Sequence, residues 1–179
     1  PAVNWRAESG ADLGEATTAG ATFGATWRFS DDLRLGAGLG AFSEIEDDAT
    51  VFPILLVDWQ VTESFSLETG QGLGATRGPG LTLNWTGIDR WRFTLGARWE
   101  TWRFRLDDGG TAPDGVGEEE AVPVFLAATY DVIPTVQLGI LGGLDVAGSL
   151  TLEDADGREL AEEDFDPTPF LGATFRARF

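Results

Sequence analysis

The sequence predicts an all-β fold, a closed up-and-down antiparallel β-barrel of about ten strands, with residues 1–179 forming a single domain. Three observations lead to it. Bulky apolar residues alternate with small or charged ones over long runs, the period of two that belongs to a strand whose faces meet different surroundings. Helical periodicity is lacking, and the 24 glycines and many threonines recur every few residues, a spacing that disfavours helices. Short connections alternate with long ones, so successive strands run up and down, and a meander of this length needs closure to remove its edges.

Each strand has its own signature. A weak first strand is expected over 2–11, with Val3, Trp5 and Ala7 on one face. The second sets Phe23, Ala25, Trp27 and Phe29 against Thr22, Gly24, Thr26 and Arg28. In the third, Leu33, Leu35, Ala37, Leu39 and Ala41 oppose Arg34, Gly36, Gly38 and Gly40. Strands follow at 50–61, 64–76 and 79–87. The seventh places Trp91, Phe93, Leu95, Ala97 and Trp99 opposite Arg92, Thr94, Gly96, Arg98 and Glu100. An eighth covers 121–131. The ninth runs from Val136, Leu138 and Ile140 to Leu144 and Val146, against Gln137, Gly139, Gly143 and Asp145, and the last spans 168–179. Tight connections fall at Ser30-Asp31-Asp32, Thr62-Glu63, Thr86-Gly87-Ile88-Asp89 and Val132-Ile133-Pro134, and longer ones near 44–49, 106–120 and 153–167. One end of the molecule therefore carries turns and the other carries loops.

Side-chain size decides which face is outside. Small residues and charges of both signs suit a crowded lumen, whereas Trp, Phe and Leu suit a lipid-facing exterior, so the barrel is expected to be transmembrane. Leu35, Leu39, Phe93, Leu95, Leu138 and Ile140 are expected outside. The lumen is expected to hold a charge network of Arg6, Glu8, Arg28, Arg34, Asp58, Glu68, Arg92, Arg98, Glu100, Asp145, Arg176 and Arg178, with Glu44 opposing them near the loops. Trp27, Phe29, Trp59, Phe65, Trp85, Trp91, Tyr130 and Phe179 all fall near the tight turns. They predict an interfacial ring, because an indole or phenol is apolar in body and polar at its tip.

Composition narrows the chemistry. Thirty acidic residues against 12 basic ones, all arginine, give a net charge of -18, which repels a phosphate backbone and excludes nucleic acid as a partner. The chain has no Cys and no His, hence no disulfide, no thiol nucleophile, no imidazole base and no ordinary zinc site. No run of apolar residues is long enough for a transmembrane helix. The start at Pro1 fits a mature chain from which a signal peptide has been removed.

The last strand carries a resemblance. Leu171, Ala173, Phe175, Ala177 and Phe179 place an apolar residue at every second position back from a C-terminal Phe. In this the chain resembles the small bacterial outer-membrane β-barrels of OmpA, OmpX and OmpW plan, with more strands. The resemblance implies outer-membrane lipid as surroundings and the barrel-assembly machinery as partner during biogenesis, with those five residues as the assembly signal. Ten-stranded outer-membrane proteases and barrel lipases need a histidine that this chain lacks, so the expectation is no enzyme and no cofactor.

The expected role is structural or surface-interacting, with a lumen plugged by arginine–acid pairs and acidic loops outside, alone or with a surface protein partner or larger assembly. A narrow porin-like channel and a soluble, lipocalin-like ligand-binding barrel are the alternatives. The long loops hold most of the acids, and divalent cations are a candidate partner there. Asp154, Asp156 and Glu159 around Gly157 are the candidate Ca²⁺ ligands, although their spacing is not that of an EF-hand loop.

Overall fold

The structure, a computed structural model, describes residues 1–12, 14–46, 48–69 and 79–178. The described residues form twelve strands and no helix. In chain order these are β1 (Ala2–Trp5), β2 (Thr17–Arg28), β3 (Leu33–Phe42), β4 (Thr50–Gln60), β5 (Phe65–Thr69), β6 (Gly80–Ile88), β7 (Trp91–Arg98), β8 (Glu100–Arg105), β9 (Val116–Ile133), β10 (Val136–Glu153), β11 (Glu159–Asp164) and β12 (Thr168–Ala177). All belong to one antiparallel sheet, in the order β1-β2-β3-β4-β5-β6-β7-β9-β10, with β8 extending β7 along β9 while β11 and β12 share the far side of β10.

Twelve strands arise where about ten were expected because two runs are interrupted. Only Trp99 separates β7 from β8, and the register against β9 passes through it unbroken, from Ala97↔Val124 to Glu100↔Ala121. Residues 165–167 separate β11 from β12, which pair with opposite halves of β10. The second case corrects an expected loop: the acidic stretch Glu159–Asp164 is a strand, since pairing with Ser149–Glu153 overrides its poor intrinsic propensity. Similarly, 116–120 was expected in a loop and belongs to β9. The first expected strand is shorter than 2–11. Beyond Trp5 the chain leaves β2, and Ala7 makes a parallel bridge to Arg105 on the edge of β8, with Glu8 N donating to Arg105 O at 2.8 Å. Of the expected strand 64–76, the part beyond Thr69 lies outside the described residues, as does Phe179.

The sheet is not closed by hydrogen bonds: among the described residues β1 pairs with β2 and β12 with β10, not with each other. The β3–β4 loop nevertheless lies against the loop end of β8, far from it in strand order: Arg103 donates to the carbonyl of Ile45 at 3.1 Å.

The two faces differ as the alternation predicts. Leu39, Leu95, Leu138 and Ile140 are exposed, as are Phe23, Leu126, Leu171 and Phe175 on the same face, while Leu35 and Phe93 are half-buried. The opposite face departs from expectation in being filled largely by aromatic rings resting on cross-strand glycines. Gly40 opposes Phe52, Gly96 opposes Phe125, and Gly143 opposes Phe170. A Cβ at Gly40 would lie 2.6 Å from Phe52 Cε2, and one at Gly96 2.7 Å from Phe125 Cε1, so glycine is what allows each ring to lie flat across its neighbour.

Candidate functional site

At the turn end, the face opposite Leu39 carries a cross-strand ion pair, Arg34 to Asp58 at 3.4 Å, directly opposed on β3 and β4. Further along, Asn84 on β6 accepts from Thr94 Oγ1 at 2.7 Å and donates to Ser66 at 3.4 Å. Ser66 in turn donates to Glu68 at 3.2 Å. Arg98 and Glu100 form a close ion pair where β7 meets β8, both side chains well covered.

The expected charge network is therefore only partly assembled. Arg34 pairs with Asp58 and Arg98 with Glu100, with Asp145 within electrostatic reach of the latter two. Arg28 instead reaches Asp31 in the β2–β3 turn at 3.9 Å, with both side chains mostly in solvent. Arg92, Arg176 and Arg178 are exposed at the turn end and make no ion pair with another described residue. Arg6 stacks over the Trp102 ring at 4.1 Å, and Glu8 accepts from Asp107 N at 3.4 Å. These two lie at the loop end.

A dense polar cluster among the described residues is one that the alternation does not single out. Arg103 donates to Glu118 at 2.7 Å and to Glu153 at 2.5 Å as well as to Ile45 O. Arg105, with only 3% of its side chain exposed, pairs with Glu46 and donates to Asp114 O at 2.6 Å and Glu15 O at 3.4 Å. Two of the three non-glycine residues with positive φ among the described residues, Glu46 at 52° and Asp114 at 53°, are partners of Arg105. A left-handed conformation of this kind costs on the order of 1–3 kcal/mol and persists where surroundings over-determine it. Burial lowers the pKa of Arg103, but hydrogen bonds and charge from Glu153 and Glu118 outweigh it, and the net shift is upward. Two buried arginines thus fasten the β3–β4 loop, the β8–β9 connection, the end of β10 and the segment after β1. Val116 and Ala16, both fully buried, lie in this same region.

The aromatic ring at the turn end is continuous over four strands. Phe65 lies 6.4 Å from Trp85, Trp85 5.6 Å from Phe93, Phe93 5.7 Å from Trp91, and Trp91 5.0 Å from Tyr130. Trp27, Phe29 and Trp59 are exposed near the same turns. Of the expected terminal signal, Leu171, Ala173 and Phe175 are exposed and Ala177 is half-buried.

The candidate calcium ligands are not brought together. Asp154 Oδ1 accepts from the backbone N–H of Asp156 and of Arg158, each at 2.9 Å, around the left-handed Gly157 at φ 75°. The carboxylate is committed to the turn between β10 and β11, where Glu159 already begins β11. Among the described residues no group of three or more acidic side chains is arranged to hold a metal ion.

No family model, curated protein or solved structure matches the chain.

Proposed function

We propose that the chain is an integral β-barrel of outer-membrane type, closed in lipid by β1 meeting β12, with a blocked interior and a structural or surface-interaction role. The observation that carries the reading is the exposed face of β7 and its continuation. Trp91, Phe93, Leu95, Ala97 and Trp99 follow one another on it, with the two tryptophans at its ends. The eight rises of ~3.4 Å from Trp91 to Trp99 give roughly 27 Å along the strand, which a tilt of ~40° reduces to roughly 20 Å of height. That is close to the apolar band of ~25 Å that interfacial aromatics flank in outer-membrane barrels. Leu126, Leu138, Ile140, Leu171 and Phe175 continue the same face across β9, β10 and β12. A contiguous apolar surface of this extent calls for lipid or a partner rather than water. A lipocalin-like barrel would turn these side chains inward.

The interior is blocked, in this reading, by Phe42, Phe52 and Phe125 together with the Arg98–Glu100 pair. Outer-membrane lipid and, during biogenesis, the barrel-assembly machinery are its partners. The test is insertion into vesicles containing brominated lipid. The expected result is strong quenching of tryptophan emission, with β-sheet circular dichroism retained. A folded chain that stays monodisperse in buffer without detergent would overturn it. In a planar bilayer the expected currents are small and infrequent, and a steady large conductance would replace the blocked interior by the narrow-channel alternative.

A further inference from the structure

A cavity of about 180 Å³ opens on the outer face just beyond Trp99, lined by Trp99, Glu120, Val122, Ala147, Ser149 and Asp164 among others. The register shows how it is built. Ser149 on β10 is opposite Glu120 of β9 on one side and Asp164 of β11 on the other. The three polar side chains therefore stand in one row on one face, the carboxyl-bearing backbones two strand spacings, roughly 10 Å, apart. Trp99 and Val122 occupy the next row toward the apolar belt on that face. The register shift between Asp145 and Gly148 sets Ala147 into the floor with no long side chain to fill the space.

Among the described residues no cation pairs with Glu120 or Asp164. The cation nearest in register, Arg103, is held by Glu118 and Glu153. Glu118 and Glu162 face the row from its loop side. Burial raises the pKa of Glu120, and the charges of Glu118 and Glu162 raise it further. The cavity thus combines acceptors, an indole and an aliphatic floor. A hydrated metal ion gains nothing from the last two.

We propose that this cavity binds a primary alkylammonium group, the N–H donors meeting Glu120, Asp164 and Ser149 Oγ and the alkyl stem lying against Trp99, Val122 and Ala147. An ammonium offers three donors and no acceptor, which matches the row, and the indole adds a cation–π contribution. The site lies outside the barrel interior, and its existence does not depend on whether the sheet spans a membrane.

The experiment is calorimetric titration of the full chain in detergent with n-butylammonium chloride at fixed ionic strength, with 1-butanol and potassium chloride as controls. Saturable binding of the amine is expected, with none for butanol and no displacement by equimolar potassium. The double variant Glu120→Gln, Asp164→Asn should keep its circular dichroism and bind at least tenfold more weakly. Trp99→Leu should keep both carboxylates and still weaken binding several-fold. No saturable binding, equal binding of butanol, or unchanged affinity in the folded double variant would each overturn the proposal. N-acetyl-lysine methylamide distinguishes sources: if it binds like butylammonium, a lysine side chain of a polypeptide fits the site, and if only butylammonium binds, the ligand is a small free amine. Both results uphold the alkylammonium site. Failure of vesicle insertion with amine binding intact would sink the membrane reading alone.

Discussion

The turn half and the loop half of the molecule are ordered by different physics. In the turn half, side chains bond mainly to partners on adjacent strands: Arg34 to Asp58, Thr94 to Asn84, Gln137 to Asp131 at 2.6 Å. Its apolar side chains point away from the sheet, so they contribute no core in water. The loop half does the reverse. Arg103 and Arg105 reach residues 50 to 90 positions away, and they bury polar atoms deeply. A strand ladder thus carries the first region, to be stabilised from outside by its solvent, while the second is held by arginines that have left solvent.

The largest effect is expected where the loop half is cut at its centre. Arg105→Ala would leave two carbonyls without a donor and Glu46 without its cation, a loss at the lower end of the ~3–5 kcal/mol of a buried pair broken on one side, because Glu46 keeps 36% of its side chain in solvent. Hydrogen exchange should rise at residues 44–46 and 112–116, while amides of β3 and β4 at the turn end keep their protection. Loss of protection across the whole sheet would show that the two halves are not separable. The next effect belongs to the turn half. Ile140→Arg, at a position 64% exposed, should be nearly silent if that face meets water. In lipid it should cost ~2–4 kcal/mol near the midplane, read as a lower folded yield in vesicles. Equal yields of the variant and the parent would remove the lipid from the comparison.

The same contrast explains what the sequence discloses. The outer face of the turn half obeys a period of two, and that period is a local property, so Phe23 to Phe29 and Trp91 to Trp99 could be read one strand at a time. The place of Arg103 and Arg105 is not local. They follow the run that ends at Glu100, and nothing in their own stretch says that Ile45, Glu46 and Asp114 will come to meet them. Charge was legible in type and misleading in place: Arg92, Arg176 and Arg178 lie on lumen-parity positions yet sit at the exposed end. Glycine carries a further signal. Gly40 with Phe52 and Gly96 with Phe125 are opposed once the register is known, and an aromatic residue opposite glycine on an inward face marks where a ring lies down. The acidic β11 was hidden because its strand character comes from its partner rather than from its composition.

A smaller effect should follow from filling one of these glycine positions. Gly40→Val forces a branched side chain into space held by the Phe52 ring, and overpacking of this kind costs ~1–3 kcal/mol. Adding Phe52→Ala should return part of the loss, although that substitution is destabilising alone. A double-mutant cycle in denaturant reads the coupling, and simple additivity would mean that the ring is not seated on Gly40.

The smallest effect is a change of sign at the border between the halves. Glu120 is half-buried beside Glu118 and Glu162, and its pKa is raised by burial first and by those two charges second. A carboxyl whose folded pKa lies above its unfolded value favours the folded state when protonated. This group's contribution therefore becomes more favourable as pH falls through the raised value toward the ordinary carboxylate range, and less favourable as pH rises again. Glu120→Gln removes the charge and keeps the shape, so at neutral pH it should stabilise the chain by under about 1 kcal/mol, the scale of like-charge neighbours on a sheet. The gain should vanish once acid has protonated the parent's carboxyl. Urea unfolding of parent and variant at neutral and acidic pH checks both statements. A destabilised variant at neutral pH would mean that a cation already sits between Glu120 and Asp164, and the border would then belong to the charge-paired half.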